Sequence, residues 1–396
     1  MHIEKRVNHL PVLTWNRLDF NEAVFSADVD FDGKQYIKET ALPEGITQTA
    51  ELSREAFAAW CRAHGCVARQ EAVVAGKFPM YAQETFQTGM GAETDELLAE
   101  AGAKIRLYEV AEGVKLAQPL RFESIYPQGA ATVDAVLLHA KKGSEVTLIQ
   151  YFTTDANGDA EQGFVGTSTR VYLEEGAKVH LVKVQMLPKG FVFFDDMGAK
   201  TEKNAELTYT QLELGAAKAY LGACVDQTGE QSVLRADLGY VGMPGSFLDF
   251  NYVDTFRGKK TQGVMRFNGV LFENAQKVSR ETLDFRQYCT DADGDEEEDI
   301  LVLGDDIVNK ANPMILGEEE KVSGRHAVTI GKLSPEMLFY MQSRGMDEMT
   351  AQELMVRARI QEVANRIPDE EIRRAAGFYV DRIFCDRENC HGMCRI

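Results

Sequence analysis

The sequence predicts a mainly β protein with helices at both ends. Three observations point there. Between residues 116 and 332, short alternating apolar–polar runs recur, and no long helical pattern interrupts them. Three of these runs, KKGSEVTLIQYF, EEGAKVHLVKVQML and EKNAELTYTQLEL, share one layout: charged residues, then a Gly or Asn, then an alternating strand. Residues 333–384, by contrast, carry helix starts, stops and apolar stripes.

Taken in order, residues 1–115 read as a mixed, partly helical domain. Leu52, Ala56, Ala59, Trp60 and Ala63 fall at helical spacing over residues 51–64, and Gly65 supplies the left-handed residue that ends a helix. A second helix is predicted over 94–101, ended by Gly102. Upstream, Asp28, Asp30, Asp32, Gly33 and Glu39 fit the calcium-loop formula D-x-D-x-D-G-x5-E. Gln35 stands where that loop wants an apolar residue, and Pro43 forbids a long exiting helix. The favoured reading is a hairpin turning at Asp32-Gly33, with Val29 and Phe31 on one arm and Tyr36 and Ile37 on the other.

Residues 116–332 form the β core. Besides the three matching runs, SVLRADLGYV, SFLDFNYVDTF, QGVMRFNGVLF and KVSRETLDFRQY read as strands. Many short strands with turn signals suit a sandwich or barrel, whereas the repeated layout suits a solenoid whose coils bury faces only against their neighbours. Periodicity alone leaves both open. The acidic runs 155–159 and 291–295 lack the Gly a calcium loop needs and read as solvated turns, and residues 295–299 read as an exposed loop. His139, His180, Cys224 and Cys289 read as structural, and Cys61 and Cys66 as packing residues at a helix end.

In residues 333–384, Ser334-Pro335-Glu336 gives an N-cap, a Pro at the first helical position and an acid near the positive helix end. Gly345 stops that helix. Thr350 and Glu353 predict a capping box for the next, and Pro368-Asp369 opens a third, with Ile372, Ala375, Ala376, Tyr379 and Ile383 as its stripe. Residues 385–396 are a polar, cysteine-rich tail in which Cys385, Cys390, His391 and Cys394 are candidate ligands for iron, zinc or copper(I).

Composition narrows the function. The 396 residues carry a net charge of −19, which argues against nucleic acid as a partner, since phosphate binding needs a basic patch. Residues 1–10 lack the apolar core of a secretion signal, and no apolar run is long enough to span a bilayer. A cytoplasmic protein with seven reduced cysteines is expected. Neither GxxxxGK[ST], HExxH nor GxSxG occurs.

Residues 301–345, LVLGDDIVNKANPMILGEEEKVSGRHAVTIGKLSPEMLFYMQSRG, resemble the C-terminal signature of the SufB/SufD family of iron–sulfur cluster assembly proteins. The matching positions are Asp306, Pro313, His326, Gly331, Leu338, Phe339, Tyr340, Ser343, Arg344 and Gly345, and Leu10-Pro11 with Thr14-Trp15-Asn16-Arg17-Leu18 are similar to the opening of SufD-type members. The resemblance implies a right-handed parallel β-helix flanked by helical domains. It implies a non-catalytic scaffold that pairs with a SufB-type subunit or a second copy of itself. A SufC-type ATPase would dock on the C-terminal helices around Leu338, Phe339, Tyr340, Ser343, Arg344 and Gly345, and this chain would bind no nucleotide.

Any iron–sulfur cluster would be transient and held at a subunit interface, with His326 and Glu298 as its cofactor-binding candidates. Glu298 stands by spacing where SufB members carry a cysteine; Gly324 stands where SufD members often carry one, and Arg325 and Ala327 flank His326 where SufB members place carboxylates. The chain therefore resembles SufD more than SufB. Two rival readings are a β-helix enzyme acting on polysaccharides and a metal carrier centred on the tail. Truncation after Gly331 is expected to leave a folded coil domain.

Overall fold

The computed structural model describes residues 1–14, 20–39, 41–66, 86–155 and 163–384. β1 (His2–Val7) and β2 (Ala23–Asp28) pair antiparallel. β3 (Ile37–Glu39), β4 (Ile46–Leu52), α1 (Arg54–Ala63) and α2 (Ala92–Glu100) lead to β5 (Ile105–Val110). Then come β6 (Leu120–Tyr126), β7 (Ala131–Ala140), β8 (Glu145–Thr154), β9 (Gly163–Leu173), β10 (Lys178–Gln185) and β11 (Phe191–Thr201). They are followed by β12 (Glu206–Glu213), β13 (Lys218–Gln227), β14 (Val233–Gly242), β15 (Phe247–Phe256) and β16 (Gln262–Phe272). β17 (Gln276–Phe285), β18 (Ala292–Leu303), β19 (Val308–Gly317) and β20 (Val322–Gly331) close the series. The chain ends in α3 (Pro335–Ser343), α4 (Glu348–Ala364) and α5 (Glu370–Phe384).

From β5 and β6 onward, odd and even strands alternate between two nine-stranded sheets, each strand parallel to the one two places on. The result is a parallel β-solenoid of about eight turns with helices at both ends. Sandwich and barrel are thereby excluded, because consecutive strands lie in opposite sheets. Each sheet begins with an antiparallel strand from the N-terminal region, β3 beside β6 and β4 beside β5.

The repeated layout marks one corner of every coil. Gly113, Gly143, Gly176, Asn204, Gln231, Lys260 and Asp291 all have φ between 55° and 70°. Each donates its N–H to a carbonyl one coil further on; Gly143 to Glu175, Gly176 to Lys203 and Asn204 to Glu230 measure 3.0, 2.8 and 2.9 Å. Gly and Asn adopt that conformation at least cost. The turns therefore stack, and the strands they open fall in register, Lys178 pairing with Glu145 on one side and Glu206 on the other.

The helix signals hold with one change. Ser53 caps α1 and Ser334 caps α3, while Gly65, Gly102 and Gly345 take positive φ at the helix ends. The N-cap of α4 is Asp347, whose carboxylate accepts the Thr350 N–H (2.7 Å); Thr350 sits inside the first turn. The hairpin expected at residues 29–37 does not form. β2 pairs with β1, and Ile37 joins β6 instead, because the sheet offers Ile37 a buried partner that a free hairpin lacks. The turn itself is present, with Gly33 at φ 67° and Asp32 accepting the Lys34 N–H and the Tyr36 hydroxyl.

Both outer faces are covered. α1, α2 and the loop at Met90 pack on the odd sheet against Leu137, Phe164, Phe194 and Tyr220. The loop lies so close that a Cβ on Gly89 would meet the Ala223 nitrogen at 1.9 Å. On the even sheet, Val356, Ile360 and Val363 of α4 and Ile372, Ala376 and Val380 of α5 bury Val182, Val184, Leu212, Val241 and Val270. At roughly 1.5–3 kcal/mol per fully buried aliphatic side chain, this face holds the helices firmly.

Candidate functional site at the open end of the solenoid

Side chains alternate along each strand, so in-register partners on neighbouring parallel strands point the same way. On the even sheet, the positions opposite the covered Val182, Val184 and Leu212 face the coil interior. They include Lys183, Gln211, Tyr240, Glu296 and Glu298, all buried. The interior is therefore apolar at its centre yet carries a line of polar groups.

In the middle coils most of these groups satisfy one another, although one oxygen of the buried Glu213 has no partner among the described residues. Asp195 accepts from the Lys183 ammonium, the Thr167 hydroxyl and Gln211 Nε2 (3.0 Å), and the Tyr252 hydroxyl donates to Gln211 Oε1 (2.6 Å). In the last coils the balance changes. Glu298 accepts from the Lys277 ammonium and from the Tyr240 hydroxyl (2.8 Å), with both members of the ion pair fully enclosed. Glu281 and Glu296 lie beside them, 1% exposed, and neither carboxylate has a hydrogen-bond partner among the described residues. Burial first, then the neighbouring Glu298 charge, raises Glu281 to about 7. Burial, then the charges of Glu281 and Glu298, raises Glu296 to about 9.

This acidic pocket lies directly under the final strand. Met265, Glu296 and His326 occupy one register line across β16, β18 and β20, and Phe267, Glu298 and Val328 the next. His326 is exposed on the outermost strand, next to the enclosed Glu296 rather than to Glu298. Across the coil, Glu281 is in register with Pro313 of β19. A proline fits there because β19 ends its sheet and needs no second ladder. Neither β19 nor β20 is covered by a helix to the degree the inner strands are, and the residues of β20 are largely exposed.

The second notable surface is α3, none of whose residues is buried. Phe339 is 72% and Tyr340 58% exposed, with Met337 beside them. The Arg344 guanidinium lies over the Tyr340 ring at 5.1 Å, the Ser343 hydroxyl donates to the Tyr340 carbonyl, and Gly345 turns the chain at φ 88°. Leu338 is half-buried. An apolar, unburied helix face joined to an otherwise well-covered body is the mark of an interaction surface.

Sequence reasoning singled out His326 and Glu298 as one cofactor-binding pair and the α3 residues as a separate docking surface. The structure brings His326, Glu296 and Glu298 to one end of the coil and leaves α3 on its own. Sequence reasoning missed Lys277 and Glu281, which lie on β17, and missed Glu296 because residues 295–299 read as a loop; they are the middle of β18, whose even-numbered glutamates face inward. The tail residues Cys385, Cys390, His391 and Cys394 lie outside the described residues. Among those described, no group of three or more His, Cys, Asp or Glu side chains has metal-holding geometry, and no helix is long and apolar enough to cross a membrane.

The family model described as SUF system FeS cluster assembly, SufBD core domain, matches residues 124–359. The chain is 27% identical over 286 residues to an iron–sulfur cluster assembly SufBD family protein of Pyrococcus horikoshii, covering 72% of this chain and 63% of that protein. It is 20% identical over 275 residues to the iron–sulfur cluster assembly protein SufD of Bacillus subtilis, covering 69% and 62%. To SufD of Escherichia coli it is 22% identical over 284 residues, covering 67% and 63%. The chain thus spans a little under two thirds of the length of these relatives.

Proposed function

Because this chain belongs to the SufBD family of iron–sulfur cluster assembly proteins, we propose that it is a non-catalytic scaffold subunit, gripped by a SufC-type ATPase through α3 and paired through its open coil end with a SufB-type subunit or a second copy. The observation that carries this reading is α3, a well-capped helix with Phe339 and Tyr340 facing solvent. A capped helix has its fold determined locally, so its apolar side chains are free to serve a partner.

At the open end, the chain offers iron one exposed imidazole, His326, above buried carboxylates, and no cysteine within that register line. Imidazole and carboxylate suit iron, whereas sulfide-bridged clusters are usually held by thiolates. A cluster assembled there would therefore take its thiolate from the partner subunit, with the cluster as cargo rather than a resident group.

The test is co-expression with a SufC-type ATPase and a SufB-type partner, followed by subunit ratio, iron and sulfide. Phe339→Asp with Tyr340→Asp should cut ATPase capture by about 100-fold while the melting temperature stays unchanged. Full capture by that variant would refute the docking assignment. Truncation after Gly331 is a poorer test than sequence alone suggests, since removing α4 and α5 bares the apolar face of the even sheet.

A further inference from the structure

At the far side of the molecule, α1 closes with a Schellman turn. Gly65 donates its N–H to the Arg62 carbonyl (3.2 Å), and Cys66 donates to the Cys61 carbonyl (2.9 Å), with Gly65 at φ 67°. These paired bonds bring the side chains at the first and last positions of the turn together, a contact that is usually apolar. Here both are thiols, Cys61 half-buried and Cys66 buried, and the Cys66 Sγ also lies 3.8 Å from the His64 carbonyl. Both are free, as are the other two described cysteines, Cys224 and Cys289, which are buried.

We propose that Cys61 and Cys66 are a reversible dithiol–disulfide site, oxidised by hydrogen peroxide. The roles divide by surroundings. Each thiol acts on the other, and their proximity lowers Cys66 and raises Cys61. The Lys200 ammonium also favours the Cys66 thiolate, against Asp226 and Glu202. Lys200 is held in place by the His64 carbonyl at 3.2 Å, within the turn itself. Arg170, paired with Asp95, stands near Cys61. Cys66 is thus the nucleophile and Cys61 the resolving thiol.

The Cys66 thiolate attacks one peroxide oxygen, the O–O bond breaks, and hydroxide leaves, giving a sulfenic acid. The Cys61 sulfur then attacks the Cys66 sulfur. The S–S bond forms, the S–O bond breaks, and the Cys61 proton leaves with the hydroxyl as water. Two thiols and one peroxide become one disulfide and two waters. The product ties the last turn of α1 to the chain beyond it, under the stacked Trp60 and His64 rings, whose centroids are 3.9 Å apart.

The experiment treats the full chain with hydrogen peroxide, blocks remaining thiols with N-ethylmaleimide and maps the digest by mass spectrometry. A Cys61–Cys66 link two hydrogens lighter than the dithiol, unlabelled, and restored to two labelled thiols by dithiothreitol, is expected. In Cys61→Ser, oxidation should stop at a Cys66 sulfenic acid that dimedone captures. In Cys66→Ser, oxidation of Cys61 should slow about tenfold. Two fully labelled thiols after peroxide, a link from Cys66 to Cys385, Cys390 or Cys394 instead, or equal oxidation rates in the two variants would overturn the proposal.

Discussion

Two of the polar clusters inside the solenoid are built on different principles. In the middle coils, Asp195 meets three donors, one of them the Lys183 ammonium. In the last coils, three carboxylates, Glu281, Glu296 and Glu298, lie near one ammonium, Lys277, which pairs with Glu298 alone, and the other two have no hydrogen-bond partner among the described residues. A satisfied network fixes one interior arrangement; an unsatisfied one stores a cost that protonation or a partner can relieve. The contrast marks the middle of the coil as framework and its open end as the place where something is still to be added.

The sharpest way to break this contrast is to remove each cation. Lys183→Met should cost about 3–5 kcal/mol in urea unfolding at pH 8, because it strands a buried charge, and should keep most of that cost at pH 5, because Asp195 retains the Thr167 and Gln211 donors. Lys277→Met should cost a comparable amount at pH 8 and clearly less at pH 5, where the surrounding carboxylates take up protons instead. Equal pH behaviour in the two variants would erase the distinction.

A smaller effect concerns pH alone. Glu281 and Glu296 are raised to about 7 and about 9 in the folded chain. The native state therefore binds more protons than the unfolded one above the ordinary carboxylate range. The stability these groups contribute is fully present below the ordinary carboxylate range and is lost as pH climbs from there to about 7 for Glu281 and to about 9 for Glu296, by up to roughly 1.4 kcal/mol per group per pH unit. Glu281→Gln with Glu296→Gln should flatten that part of the slope and stabilise the chain at pH 8 by about 1–2 kcal/mol. An unchanged slope would show that these carboxyls are not the proton-binding groups. Least of all in stability, within about 0.5 kcal/mol, should be His326→Ala, which lies on the exposed strand. Its effect should appear instead as lower iron in the purified complex.

Much of the fold was legible where turn chemistry and strand pattern coincide. Gly143, Gly176 and Asn204 announce their corners because each is a residue type suited to positive φ. Gln231 and Lys260 hold the same conformation without being turn formers, imposed by stacking on the coils before them, so those corners are silent in the sequence, whereas Asp291 opens a run that reads as a turn. Helix caps were readable for the same local reason, apart from α4, where Asp347 wins over Thr350. The candidate site was harder. His326 and the α3 residues stood out through resemblance, but glutamates at 296 and 298 look solvated in a run of acids, and only coil stacking turns them inward. Lys277 gave no sign, since its partner is 21 residues away.

The two sheets also end differently. At the start they finish in β3, only three residues long, and in β4, whose register shifts between Gln48 and Ala50; at the other end β19 is interrupted by Pro313, but β20 runs ten residues with no proline. Short or bulged antiparallel strands discourage further pairing, while long regular ones invite it. Growth by strand addition can therefore proceed at a single terminus, so two molecules meeting there exhaust each other's free hydrogen bonds and cannot propagate into a fibre.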